Sequence, residues 1–398
     1  MESTQSNLQS KALAELLDKV AKLDPLMRGH AAESERERRL SKPVAEALRD
    51  AGFFRMFRPL ARGGLELDPV SAFRVIEALT HCDSASGWNV QIANASELFG
   101  AWFSNAVTRE SLGSEDAVMA GAFNPPRRAV PVEGGYQLSG KTPFNSNCHS
   151  ATYFIGLANV YEGDAPRLDD AGMPTTLLTL FPSEDARIIE NWETLGMCGT
   201  GSHDVSVEEI FVPEERAVPF IPLTEPSEGY EGALYRLSVW PSVACQAAPS
   251  LGIAQAALDD LVSLGMKVPA YTQRSLRDRA VVQLQLAQAA GKLGAARAFF
   301  HATYDEAWRI AQSGRALEMR ERAKCQLAAS HAVTASAEAV DLVHACVGAS
   351  GIRNDQRFQK YFRDIHVITQ HAFVCASRLE SVGQVMFDLE PDWPFFQF

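Results

Sequence analysis

One change of pattern constrains the fold of this chain more than any other feature. Across residues 116–220, short β-prone runs alternate with turns, at 136–140, 153–158, 175–181, 187–189 and 205–212. Several short strands at roughly ten-residue spacing, punctuated by Gly, Pro and Asp, predict a small antiparallel barrel or sandwich. The sequence on either side has helical periodicity instead. Leu13, Leu16 and Leu17 recur at helical spacing, and Ser41-Lys42-Pro43-Val44 offers a Ser cap with an early Pro. Gly52-Phe53-Phe54 closes that helix, and another is expected from about residue 69 to 79. Ser84-Ala85-Ser86-Gly87-Trp88 opens a helix of small residues, which let a second body approach closely, with Trp88 and Asn94 as candidates to face a pocket. Helix returns at Leu234, with long apolar-periodic stretches over 276–308 and 318–346. The expected fold is mainly α with a central β-domain: an N-terminal helical domain over 1–115, the β-domain over 116–225, and a C-terminal helical bundle over 226–398.

Composition narrows the function classes. A chain of 398 residues with 46% hydrophobic content can bury a large core. A net charge of -12 argues against a nucleic-acid surface, which needs a clustered basic patch. The one dense charge run, Glu-Ser-Glu-Arg-Glu-Arg-Arg at 33–39, reads as a solvated helix face with i,i+4 pairs. The seven cysteines are scattered and form no Cys-x-x-Cys pair, so neither a disulfide framework nor a zinc site is indicated. The N-terminus lacks an apolar signal core, and no run of about 18 apolar residues is present to span a bilayer. The expectation is a soluble cytoplasmic protein without nucleic-acid or membrane partners. No Gly-x-Gly-x-x-Gly follows a strand and no Gly-x-x-x-x-Gly-Lys-Ser/Thr occurs, so dinucleotide and nucleotide-phosphate sites of those types have no support.

Four segments carry candidate chemistry. Leu138-Ser139-Gly140-Lys141-Thr142-Pro143-Phe144-Asn145-Ser146-Asn147-Cys148 is a strand running into a turn, where Ser146 can donate or accept a hydrogen bond. Trp192-Glu193-Thr194-Leu195-Gly196-Met197-Cys198-Gly199-Thr200-Gly201-Ser202-His203-Asp204 clusters glycines, which admit close backbone approach to an anion, with the hydroxyls of Thr200 and Ser202. Gln273-Arg274-Ser275-Leu276-Arg277 stands at the expected start of the first long helix. Gly348-Ala349-Ser350-Gly351 is a glycine turn that leads to Arg357-Phe358-Gln359-Lys360-Tyr361-Phe362-Arg363-Asp364, then to Thr369-Gln370-His371 on the same helix. Taken singly, each is as readily an ordinary turn or helix end as a site.

Together these segments are similar to the signatures of acyl-CoA dehydrogenases, where a glycine turn and an Arg-Asp helix precede a Glu-Gly-Thr segment whose Glu removes the substrate α-proton. Here the equivalent positions read His371-Ala372-Phe373, with no carboxylate. The chain therefore resembles the flavin-dependent monooxygenases built on that fold, such as the oxygenase components of p-hydroxyphenylacetate and dibenzothiophene systems and indole-oxidising relatives. The resemblance implies an oxygenase component that takes reduced flavin (FADH2 or FMNH2) from a separate NAD(P)H-flavin reductase. With O2 it would form a C4a-hydroperoxyflavin and hydroxylate or epoxidise an aromatic or heteroaromatic ring, by analogy an indole. It implies catalytic roles for His371, as a neutral imidazole titrating near neutrality, and for Ser146 at the flavin edge. Phe144, Asn145, Trp192, Thr200, Gly201 and Ser202 would bind the flavin, with Arg274, Gly348 and Gly351 reaching the cofactor of an adjoining subunit in a homotetramer. Trp88 and Asn94 would join His371 in the substrate pocket. Asn147 and Thr142 depart from the family pattern, which has Gly and often Trp there. The other reading is an acyl-CoA dehydrogenase with its base elsewhere, although Glu77, Glu97 and Asp204 are not at family base positions. The aromatic end, residues 389–398, is expected to dock on its own or a neighbouring subunit, each buried ring stabilising by about 2 kcal/mol.

Overall fold

A computed structural model describes residues 2–223 and 225–398. Five helices come first: α1 (Glu2–Glu37), α2 (Lys42–Asp50), α3 (Pro69–Cys82), α4 (Ser84–Glu97) and α5 (Asn105–Leu112). Nine strands follow: β1 (Met119–Gly121), β2 (Arg127–Val132), β3 (Gly135–Asn145), β4 (Tyr153–Glu162), β5 (Ala165–Pro166), β6 (Thr176–Pro182), β7 (Arg187–Ile189), β8 (His203–Pro213) and β9 (Ala217–Pro219). The rest is helical again, from α6 (Ala233–Arg236), α7 (Trp240–Cys245) and α8 (Ala248–Ser263) to α9 (Ala280–Gln312), α10 (Met319–Val347), α11 (Arg357–Ile368) and α12 (Arg378–Met386).

Local chemistry starts these helices. Asp68 and Asp83 cap α3 and α4, their carboxylates accepting the Ser71 and Ser86 N–H groups at 2.9 Å each. Glu318 and Glu321 form a reciprocal capping box at the head of α10. Ser41 departs from expectation. Its side chain makes no cap, and its backbone N–H instead donates to the Ser34 hydroxyl. The long helix also starts later than the pattern implied: residues 276–278 form a single 3-10 turn, and α9 begins at Ala280.

The strands join in one sheet of order β7-β8-β3-β2-β4-β6-β9, with β1 and β5 also on β4. It is mixed rather than purely antiparallel, because β1 and β2 both run parallel to β4. The sheet has a small core of its own around Leu138, Phe154, Phe181 and Val205, whereas one large apolar core runs through the helices. Residues 319–351 are long and apolar enough to cross a membrane by composition alone, but 56% of the most apolar window is buried in the protein. The stretch packs against α8, α9, α11 and α12, as a core helix does. Six of the seven cysteines are buried, and Cys375 alone keeps part of its surface open.

The helix α11 locks the helical and sheet parts together. Asp364, fully buried, accepts from the Met197 N–H at 2.6 Å, from the Lys360 ammonium at 2.7 Å, and from the Ser84 hydroxyl. Burial works against the charge on Lys360, but Asp364, Asp83 and Glu35 outweigh it and hold its pKa up. Arg363 reaches Glu35 at 3.1 Å and the Leu195 carbonyl at 2.7 Å. The charge run of α1 is thus not wholly a solvated face, since Glu35 turns inward to α11.

The C-terminal segment docks on its own chain. The Phe398 carbonyl accepts from Trp240 Nε1 at 3.0 Å and the Phe396 carbonyl from Arg322 at 2.7 Å, while the Phe398 ring stacks on Phe220 at 4.7 Å. Aromatic contacts continue from Phe395 to Phe373 at 4.9 Å.

Candidate active site

Strand β3 ends in a sharp turn, because Phe144 (φ 62°) and Asn147 (φ 63°) both adopt the left-handed conformation around Ser146. That turn aims Ser146 at the helices. Its hydroxyl accepts from Trp88 Nε1 at 3.0 Å and lies 2.6 Å from the Ser202 hydroxyl. Ser202 is in turn 2.7 Å from the Thr200 hydroxyl, which donates to the Met197 carbonyl at 2.8 Å. Four residues from three distant segments thus form one buried relay. The Met197 carbonyl also accepts from Trp192 Nε1 at 3.0 Å, and the Trp192 ring meets the exposed Phe144 ring edge-on at 6.0 Å.

The glycines of this loop serve close approach. A side chain at Gly196 would collide with the Arg363 carbonyl at 2.5 Å, so the loop could not seat against α11. Gly201 (φ 59°) takes the left-handed conformation that turns the chain between Thr200 and Ser202. His203 lies within the motif segment 192–204 without a family role of its own, and the structure gives it a framework role. Its Nδ1 accepts from the backbone N–H groups of Asn191 and Trp192 at 3.0 Å each, which holds the Trp192 segment in place. Burial lowers its pKa, against the opposing pull of Glu190. His149, Glu190 and His203 converge closely enough to hold a cation, but the His203 ring already spends Nδ1 as an acceptor. A metal-bound histidine donates from its second nitrogen, so the arrangement suits a hydrogen-bond latch rather than a metal.

His371 completes the site. It lies in the turn after α11, not on a helix, because α11 stops at Ile368. Its ring stands edge-on to Trp88 at 5.6 Å and to Phe373 at 5.5 Å. Burial pushes its pKa down to about 4, well below the near-neutral value expected, although part of the ring surface stays open. The Phe373 N–H donates to its Nδ1 at 3.3 Å, so the neutral ring carries its proton on Nε2. The free ring nitrogen is a donor. Phe373 itself is held by Trp393 and Phe395 and by Gln326, whose amide donates to its carbonyl at 2.9 Å.

Not every expected residue arrives here. Asn94 is fully buried and spends its amide on the framework, accepting from Phe57 N–H and donating to the Phe53 and Val90 carbonyls, so it is not a pocket residue. Asn145 divides its amide: Nδ2 donates to the Thr142 carbonyl at 2.6 Å and stabilises the turn, while Oδ1 stays without a partner beside Ser146. Arg274 is exposed in a loop six residues before α9, where it borders a concavity with Thr272, Gln273, Arg279, Ala280 and Val281. None of the relay residues lines that concavity, nor do Gly348 and Gly351, which form a turn tethered through Ser350 to Lys267. The carboxylates that a dehydrogenase reading needs are engaged elsewhere: Glu77 with Arg297 and His301, Glu97 with Arg58, and Asp204 with Lys141.

The residues present fit a flavin. A planar tricycle needs an apolar slot with polar partners at its edge. Phe144, Trp192 and Trp88 supply aromatic surface beside the relay, and Asn145 Oδ1 with both polar side-chain atoms of Asn147 are buried without partners around Ser146. Comparisons with known proteins agree. The family described as acyl-CoA dehydrogenase, C-terminal domain matches residues 244–375. The indole-3-acetate monooxygenase of Pseudomonas putida is 30% identical over 370 residues, covering 92% of this chain and 91% of that one. The oxygenase component of an FADH2-dependent resorcinol hydroxylase from a Rhizobium species is 26% identical, covering 96% of each chain. Among solved structures, XiaF from a Streptomyces species, in complex with FADH2 and glycerol, superposes with a TM-score of 0.90 at 26% identity, covering 98% of this chain and 99% of that one. The chain belongs to the flavin-dependent monooxygenases built on the acyl-CoA dehydrogenase fold.

Proposed function

We propose that this monooxygenase hydroxylates or epoxidises an indole-type aromatic, with reduced flavin delivered by a separate NAD(P)H-flavin reductase. The observation that carries the reading is the neutral His371, edge-on to Trp88, whose indole N–H donates to Ser146 at the head of the relay. Bound reduced flavin supplies the two electrons that activate O2. The chain's own residues do the rest. Trp88 and Phe373 offer flat apolar faces to an aromatic ring, and the docked C-terminal segment behind Phe373 keeps water from that side. His371 offers its Nε2–H as a hydrogen-bond donor to an oxygen in the pocket, at any pH well above 4. Its low basicity makes it a donor rather than a base towards a phenol or an indole.

The names of the relatives support an aromatic substrate, and the term oxygenase component for the Rhizobium relative supports a separate reductase. A homotetramer is supported by the exposure of Val268, Tyr271, Val281 and Leu284 around Arg274, an apolar surface that a second copy would cover. In such an assembly Arg274 and the turn at Gly348 and Gly351 would serve a neighbouring cofactor. The test is a single turnover: protein loaded anaerobically with reduced FAD or FMN is mixed with oxygen and indole-3-acetate, indole or a phenol. Oxygenated product should form in proportion to flavin oxidised, and His371→Ala should lower that yield about tenfold while oxidation continues. No product from any aromatic, together with bleaching of the oxidised flavin by an acyl-CoA ester, would overturn the reading.

A further inference from the structure

The relay has a polarity that can be worked out by counting protons. It contains four hydrogen bonds: Trp88 to Ser146, Ser146 to Ser202, Ser202 to Thr200, and Thr200 to the Met197 carbonyl. Four protons are available, one on the indole nitrogen and one on each of three hydroxyls. The indole N–H can only donate and the carbonyl can only accept. The carbonyl end therefore fixes the direction, since each hydroxyl has one proton to give and Thr200 spends its own on Met197, and every hydroxyl proton points away from Trp88 towards Met197. Ser146 gives its proton to Ser202 and takes one from Trp88. What remains on its oxygen is a single lone pair. Towards anything placed against it, Ser146 is an acceptor only.

A flavin changes its own hydrogen-bond character with redox state. The reduced ring carries N–H donors at positions where the oxidised ring has bare acceptor nitrogens. An acceptor-only serine pairs with the first and faces the second with two lone pairs in opposition. We infer that the relay Trp88–Ser146–Ser202–Thr200–Met197 makes this site select reduced over oxidised flavin, with Thr200 and Ser202 as the residues that set the selection. The inference rests on the flavin reading above. Binding the oxidised ring would require the relay to reverse, which is possible only if Thr200 gives up its bond to the Met197 carbonyl. One buried hydrogen bond of this kind corresponds to about a tenfold difference in affinity. For a two-electron couple, tenfold tighter binding of the reduced form raises the potential of bound flavin by about 30 mV.

The selection has a biochemical use. An enzyme fed reduced flavin by another protein must hold that form and let the spent, oxidised form leave, which an acceptor-only contact promotes in both directions. Thr200 and Ser202 act through Ser146 and are positioning residues here.

The experiment is equilibrium binding of reduced flavin, under anaerobic conditions, and of oxidised flavin to the wild type and three variants. Thr200→Val keeps shape but removes the bond that anchors the polarity, and Ser202→Ala cuts the relay in the middle. In each, Ser146 is free to donate. The ratio of reduced to oxidised affinity should fall about tenfold, and the potential of bound flavin should drop by about 30 mV. Trp88→Phe is the control. It removes a donor to Ser146 but leaves the Thr200–Met197 anchor, so the ratio should stay within about twofold even if both affinities weaken. A ratio unchanged in both relay variants, or one that shifts as much in Trp88→Phe, would overturn the inference while leaving the flavin site intact. Failure of folded wild type to bind either form would instead overturn the flavin reading, and this inference with it.

Discussion

His371 titrates in a direction that can be measured without any cofactor. Its folded pKa, about 4, lies below the ordinary 6.5, so the unfolded chain takes up the proton first as pH falls. Stability attributable to this site is therefore complete above about pH 6.5 and is lost progressively down to about pH 4, in total on the order of 2 kcal/mol given the partly open ring. Denaturant unfolding between those pH values should show the wild type losing that much more stability than His371→Gln; identical pH profiles would contradict the burial. At this scale the sequence was legible in part. Ser146, Thr200 and Ser202 could be picked out because their motif spacing is local. Asn94 could not be dismissed, because two of the three backbone groups that consume its amide belong to a turn about 40 residues away. The missing carboxylate was visible as a blank, but the tautomer of His371 depends on the Phe373 N–H, which no residue pattern reveals.

Among elements, α11 decides whether the site exists at all. Asp364 accepts from α4, from its own helix and from the loop carrying the relay, so one buried carboxylate sets the distance between three parts of the fold. Asp364→Asn would leave the Lys360 ammonium buried with less than its full counter-charge. The expected cost is about 3 kcal/mol in equilibrium unfolding, with flavin affinity falling alongside as the Met197 loop loosens. A variant of wild-type stability would mean that Asp83 and Glu35 suffice for Lys360. The Arg-Asp pair was evident in the sequence as part of a signature, but its task was not, because Glu35, Met197 and Ser84 lie far away along the chain. Helix starts with local caps, such as Asp68 and Asp83, belong to the readable kind. The start of α9 does not, since residues 276–278 carry helical periodicity yet form a separate 3-10 turn. Likewise β2 and β4 pair in parallel across an intervening hairpin, a choice that alternation alone leaves open.

For the whole molecule, the order of helices, sheet and helices is written in the switch of hydrophobic period from 3.6 to 2 and back, and so it could be read directly. What covers the outer surface could not. Val268, Tyr271, Val281 and Leu284 stand exposed beside Arg274, and no local pattern marks them as the face for the proposed second copy. Sedimentation of the wild type should give about four times the 43.5 kDa chain mass, and Tyr271→Asp should shift it towards smaller species. A monomer in both cases would remove the assigned roles of Arg274, Gly348 and Gly351. The distribution of thiols has a bearing on service life. Reduced flavin that met oxygen at this site without a substrate would yield hydrogen peroxide. Thiolates are what peroxide attacks. Burial pushes the thiols of Cys82, Cys148 and Cys325 up to about 12 and raises that of Cys245, keeping each protonated and out of reach. Cys375, four positions beyond His371 and alone among the thiols in keeping some surface, is where oxidative wear would begin.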